Sequence, residues 1–132
     1  MEELGEEDSE SGTVLAIYRG LKRACLRCFP EIIDDALVER DPGDTPKNLR
    51  IFFIDGSFMD VWVSDEKYSF HWQSDDEVIR FDNAPHHHEI ETFPDHLHFQ
   101  GEVRPTPISG GLNQKLTEAL SYIKTETELQ KF

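Results

Sequence analysis

The residues most able to do chemistry in this chain are its histidines. Five of the six fall between His86 and His98, inside DNAPHHHEIETFPDHLHF, and the sixth is His71. Free imidazole titrates at about 6.5, so one side chain can both accept and deliver a proton near neutral pH. Two imidazoles flanking a phosphodiester could take the proton of a ribose 2′-hydroxyl and protonate the leaving oxygen, with no metal required. Arg80 or Arg104 would stabilise the charged phosphorane. Arg80 and Asp82 share a strand face by parity, and Asp82 could fix a histidine tautomer. The candidate acid–base set from the residues themselves is His71, His96 and His98, supported by Arg80 and Asp82.

The same histidines admit a metal reading. In extended chain, residues two apart point the same way, so His86 and His88 would be co-facial, as would His96 and His98. Two such pairs on neighbouring segments could hold zinc or nickel, with Asp82, Glu89 and Asp95 as further oxygen ligands. No helical zinc motif or fixed spacing accompanies them, and a solvated histidine-rich loop is the plainer alternative. Cys25 and Cys28 form a C-x-x-C, but no second pair exists to complete a zinc site. They lie near the end of a helical pattern, so they read as two thiols on a helix. Phosphate-cradling glycine loops and nucleophile elbows are absent.

Charge limits the partners. Thirteen Lys and Arg stand against 27 Asp and Glu, a formal net of −14, in 132 residues. Such a balance repels nucleic acid at long range and predicts weak, salt-insensitive RNA affinity. The imbalance is uneven. Six acids and no base precede Gly12, whereas Arg19, Lys22, Arg23 and Arg27 fall between Glu10 and Glu31 with no acid among them. That basic stretch is the first place to look for an anionic partner. Aromatic residues at 11% supply enough large apolar surface for a core, which excludes a wholly disordered chain. No apolar run approaches a membrane span, and the acidic N-terminus does not resemble a secretory signal. The expectation is a cytoplasmic protein with no membrane partner.

The elements that must position these residues follow from periodicity. Residues 1–12 read as a disordered acidic tail and 13–132 as one domain. Val14, Ile17, Tyr18, Leu21, Ala24, Cys25 and Cys28 recur at helical spacing, and Pro30 ends the pattern. Segment 31–39 has no assignable type, and 41–46 (DPGDTP) is a loop. Strands follow at 49–54 and 58–63 around Asp55-Gly56-Ser57. The third strand puts Tyr68, Phe70 and Trp72 on one face and Ser69, His71 and Gln73 on the other. Strand 78–81 comes next, then the histidine loop, a short fifth strand at 96–100 and a connector over 101–111. A final helix carries Leu112, Leu116, Leu120 and Ile123 on one stripe. The fold class predicted is α+β: a curved antiparallel meander of four to five strands, with N- and C-terminal helices on one face.

Residues 68–98, as YSFHWQ and then IRFDNAPHHHEIETFPDHLHF, resemble the TumE family of small prokaryotic proteins. There an aromatic strand of the type YSYHWQ leads to an arginine, an Asp-Asn turn and a terminal H-x-H pair. In this sequence these features are Tyr68, Phe70, His71 and Trp72, then Arg80, then Asp82 and Asn83, then His96 and His98. The triple histidine and the acidic N-terminus are additions to that pattern. The resemblance implies the toxin of a type II toxin–antitoxin pair, neutralised by a helix-turn-helix antitoxin, and it adds Asn83 to the candidate site. Three readings follow. One is a toxin-like endoribonuclease acting on RNA without a cofactor. Another is a zinc- or nickel-binding module through His86, His88, His96 and His98. The last is a non-catalytic interaction protein, with a homodimer among its candidate assemblies.

Overall fold

The computed structural model describes residues 2–127 and Leu129, with side chains from Gly12 onward. The elements run α1 (Glu2–Cys28), β1 (Ile33–Arg40), β2 (Pro46–Phe53), β3 (Phe58–Ser64), β4 (Lys67–Gln73), β5 (Val78–Asp82), β6 (His96–Phe99), β7 (Glu102–Pro105) and α2 (Leu112–Glu126). The expected acidic tail over 1–12 falls, apart from Gly12, on residues whose side chains lie outside the described set. The seven strands form one sheet in sequence order, every neighbouring pair antiparallel.

The meander is thus longer than the four to five strands expected. Segment 31–39 supplies most of edge strand β1, and part of the expected connector becomes edge strand β7. Both were illegible for one reason. An edge strand has one neighbour and less surface to bury, so its apolar alternation is weak. In β1 only Ile33 and Ala36 are buried, and β7 has no buried residue. The second strand begins at Pro46 rather than 49, a tolerated place for a residue that cannot donate to the ladder.

Alternation divides the sheet into two faces. Met59, Val61 and Val63 on β3, Tyr68, Phe70 and Trp72 on β4, Ile79 and Phe81 on β5, and Leu97 and Phe99 on β6 are all buried. Helix α1 adds Tyr18, Leu21 and Cys25 to this core, and α2 adds Leu116, Ala119, Leu120 and Ile123. Each large side chain removed from water here contributes about 1.5–3 kcal/mol. The polar atoms in this layer are paired. Trp72 Nε1 donates to Ser57 Oγ at 3.1 Å, and Ser57 is held in the β2–β3 hairpin by Asp55 Oδ1. Gly56 in that turn has φ +89°, a conformation that glycine adopts without a Cβ penalty.

Burial pushes the Cys25 thiol up to about 11, so it is an inert core group, while Cys28 is exposed; both are free. Arg19, Arg23 and Arg27 lie exposed along α1 and Lys22 is half-buried. This basic stretch therefore sits on a helix that covers one side of the sheet, whereas the histidines of the strands lie on the other. Among the described residues, no helix is long and apolar enough to cross a membrane.

Candidate functional site

The face of the sheet without helices carries the polar members of each strand. Register aligns them into rows, because residues directly opposite on neighbouring strands project to the same side. One row runs Asp60, His71, Arg80 and His98 across β3 to β6. The next runs Trp62, Ser69, Asp82 and His96. Arg80 and Asp82 reach this face because Ile79 and Phe81 are committed to the core, and His96 and His98 because Leu97 and Phe99 are. The apolar half of each strand thereby aims its chemical half.

Asp82 is the hub. Its carboxylate is 6% exposed and accepts from Arg80 Nε at 2.8 Å and from the Ala84 backbone N–H at 3.0 Å. His96 Nε2 lies 3.0 Å from its Oδ1, and His98 Nε2 lies 3.7 Å from its Oδ2, beyond direct hydrogen bonding. Arg80 Nη2 is 3.0 Å from His98 Nε2. A guanidinium has no lone pair to offer, so His98 must accept through Nε2 and carry its hydrogen on Nδ1. Burial, and after it the Arg80 charge, holds the His98 pKa below the ordinary imidazole value, with Asp82 opposing. His98 is therefore a neutral base at neutral pH. Two of the guanidinium N–H groups of Arg80 are used, and the others remain for a ligand on a side chain that is 41% exposed.

Residues 84–95 fold over this cluster as successive turns, held by His86 N to Ala84 O, Ile90 N to His87 O and Phe93 N to Ile90 O. Because the segment turns, extended-chain parity fails there. The middle histidine of the triplet, His87, faces the cluster, with ring centroids 4.8 Å from His96 and 5.7 Å from His98. His87, His96 and His98 offer ligand atoms within 4.8 Å of one another. His88 instead stacks on Phe93 at 4.3 Å, and His86 is exposed beside Arg80 and Asp82. The expected four-histidine arrangement of His86, His88, His96 and His98 is thus replaced by a trio through His87. Glu89 approaches His87 at 3.6 Å. Asp95 points elsewhere: it accepts from the Tyr68 hydroxyl at 2.7 Å and pairs with Lys115. That contact, together with burial, raises the Tyr68 pKa, burial being the larger cause.

Two other candidates have structural employment. Asn83 Oδ1 accepts from the Tyr68 N–H at 3.0 Å and its Nδ2 donates to the Glu66 carbonyl at 2.7 Å, so both ends of the amide clamp the start of β4. Arg104 pairs in register with Leu97, packs over the Phe99 ring and bonds Glu102, which removes it from the site. His96 is 2% exposed, with Nδ1 3.0 Å from the Pro94 carbonyl, and acts from beneath the loop. His71 sits directly opposite Arg80 and, among the described residues, makes no hydrogen bond or ion pair. Sequence reasoning missed His87 as a member and Trp62 as a neighbour; the turn residues after Pro85 were the available signal for the first.

Fold and site define an α+β protein with a half-covered antiparallel sheet, whose open face holds a guanidinium, a buried carboxylate and a group of imidazoles. The family model described as Toxin TumE matches residues 22–127, and the chain belongs to that family. A toxin family implies an antitoxin partner. No curated protein and no solved structure matches the chain.

Proposed function

We propose that this toxin is a metal-independent endoribonuclease and that a helix-turn-helix antitoxin holds it in check. One observation carries the reading: His71 and His98 flank Arg80 in a single cross-strand row, β4–β5–β6, on the face that solvent reaches. A phosphodiester bound at the spare N–H groups of Arg80 would lie between two imidazoles.

The chemistry then follows from the hydrogen bonds. A phosphate draws Arg80 away from His98 Nε2 and frees that lone pair for the ribose 2′-hydroxyl. The proton passes to His98 as the 2′-oxygen bonds to phosphorus. The bond from phosphorus to the 5′-oxygen breaks, and that oxygen takes a proton from the His71 imidazolium. The products are a 2′,3′-cyclic phosphate and a free 5′-hydroxyl. Asp82, anchored by His96 and the Ala84 N–H, orients Arg80 and offsets its charge. His96 is a positioning residue in this scheme, since it does not reach solvent.

Expression without a partner should slow growth and fragment RNA, leaving cyclic phosphate ends even with chelator present. His98→Ala should abolish both effects while the melting curve stays near that of the parent. Normal growth with intact RNA would remove the nuclease reading and favour a non-catalytic interaction protein.

A further inference from the structure

We propose that the cavity beside Arg80 is a nucleobase subsite, in which one base of a single-stranded RNA stacks on Trp62. The inference rests on the nuclease reading for its substrate and deepens it.

Trp62 is 42% exposed on the open face, whereas the other tryptophan, Trp72, is 1% exposed in the core. The register explains why the indole is bare. Its cross-strand partner is Ser69, too small to cover it, and the row continues to Asp82. The space above Ser69 is a cavity of about 340 Å³, lined by Trp62, Lys67, Ser69, Arg80, Asp82 and His86 among others. That volume lies in the range of small-ligand pockets. It joins an aromatic wall to the guanidinium that would hold the scissile phosphate.

The spacing suits one nucleotide. Trp62 lies on β3 and Asp82 on β5, two strand intervals apart, about 10 Å, and Arg80 Nε donates to Asp82 at 2.8 Å, which brings the phosphate-holding guanidinium to that end of the row. This span is near the reach of a nucleotide from its stacked ring to a neighbouring phosphate. Lys67 and Arg80 are the full cations of the lining, with His86 at the rim. The chain as a whole carries −14, so long-range charge opposes an RNA. Stacking, which needs no net charge and tolerates every base, is the source of affinity that such a surface permits. The subsite accordingly discriminates little among bases, and its salt slope reflects only one or two phosphates, roughly −0.7 for each.

The test is titration of the purified protein with a short single-stranded oligoribonucleotide carrying 2′-deoxy substitutions that block cleavage. The emission of Trp62 should be quenched in the parent. Affinities of parent and variants are read from the anisotropy of a dye-labelled oligonucleotide, because Trp62→Ala leaves only the core Trp72. Trp62→Ala should weaken binding by roughly 5- to 150-fold, the range that loss of one base stack produces. Trp62→Phe should retain most of the affinity and melt near the parent. Trp62→Ala should stay folded by circular dichroism while melting somewhat lower, because more than half of the indole is covered. Ser69→Leu, which fills the cavity, should also lose binding. An abasic oligonucleotide of equal charge should bind parent and Trp62→Ala alike. If RNA is cleaved and Trp62→Ala binds and cuts as the parent does, the subsite is wrong and the nuclease reading stands. If the oligonucleotide binds with the expected Trp62 dependence and no RNA is ever cut, the subsite stands and the nuclease reading fails. A parent protein whose emission no oligonucleotide alters overturns the subsite outright.

Discussion

His96 Nε2 lies 3.0 Å from Asp82 Oδ1 while its other ring nitrogen faces the Pro94 carbonyl, also at 3.0 Å. Both partners are oxygen acceptors in their usual forms. The carbonyl claims a hydrogen on Nδ1, so the contact between Nε2 and the carboxylate must hold a proton as well. The His96–Asp82 pair thus shares one proton beneath the 84–95 loop, with Arg80 bonded to the second carboxylate oxygen.

Removing the hub should therefore be costly. Asp82→Ala leaves His96 and Arg80 facing each other without an anion, in a site where Asp82 and His96 are 6% and 2% exposed. Breaking a buried, hydrogen-bonded charge pair costs about 3–5 kcal/mol. Urea unfolding at neutral pH should show a loss of that order, with cleavage lost too. A variant as stable as the parent would mean that the carboxylate is not the anchor described.

His98 gives a pH dependence with a defined sign. Its folded-state pKa is depressed, by burial first and the Arg80 charge second. The unfolded chain therefore takes up the His98 proton first as pH falls. The stability that this histidine contributes is present above about pH 6.5 and lost as pH falls through the folded-state value. In urea melts across that interval the parent should lose more stability than His98→Gln. Parallel curves for the two proteins would contradict the assignment.

Asn83→Ala separates a clamp from a catalyst. The side chain bridges the Tyr68 N–H and the Glu66 carbonyl, and reaches no imidazole. Its loss should cost about 1–2 kcal/mol by thermal or urea unfolding. RNA cleavage per folded molecule should be retained. A thousandfold fall in rate at unchanged stability would return Asn83 to the reacting group.

Zinc tests the imidazole trio. A metal needs a lone pair from each ring, yet both nitrogens of His96 face acceptors and Arg80 stands 3.0 Å from His98 Nε2. We expect excess zinc, and chelator, to leave the melting temperature unmoved. A bound ion would instead raise stability as RT ln(1 + [L]/Kd). A rise abolished in His87→Ala would show the trio to be a metal site after all.

Much of the site was legible because a strand has a period of two. Once Tyr68, Phe70 and Trp72 are committed to the core, His71 and Ser69 must face the other way, and the same parity sends Arg80, Asp82, His96 and His98 outward. The amphipathic helices and the central hairpins follow from equally local signals. What sequence left undetermined is decided between segments. The edge strands β1 and β7 exist because the sheet offers them backbone partners, not because their own apolar pattern demands it. Which histidine of the triplet joins the cluster depends on where the turns after Pro85 place each side chain, and no local period governs that. The jobs of Asn83 and Asp95, and the bare face of Trp62 above Ser69, likewise belong to register. Registration brings together residues remote in sequence, so only the assembled sheet could assign them.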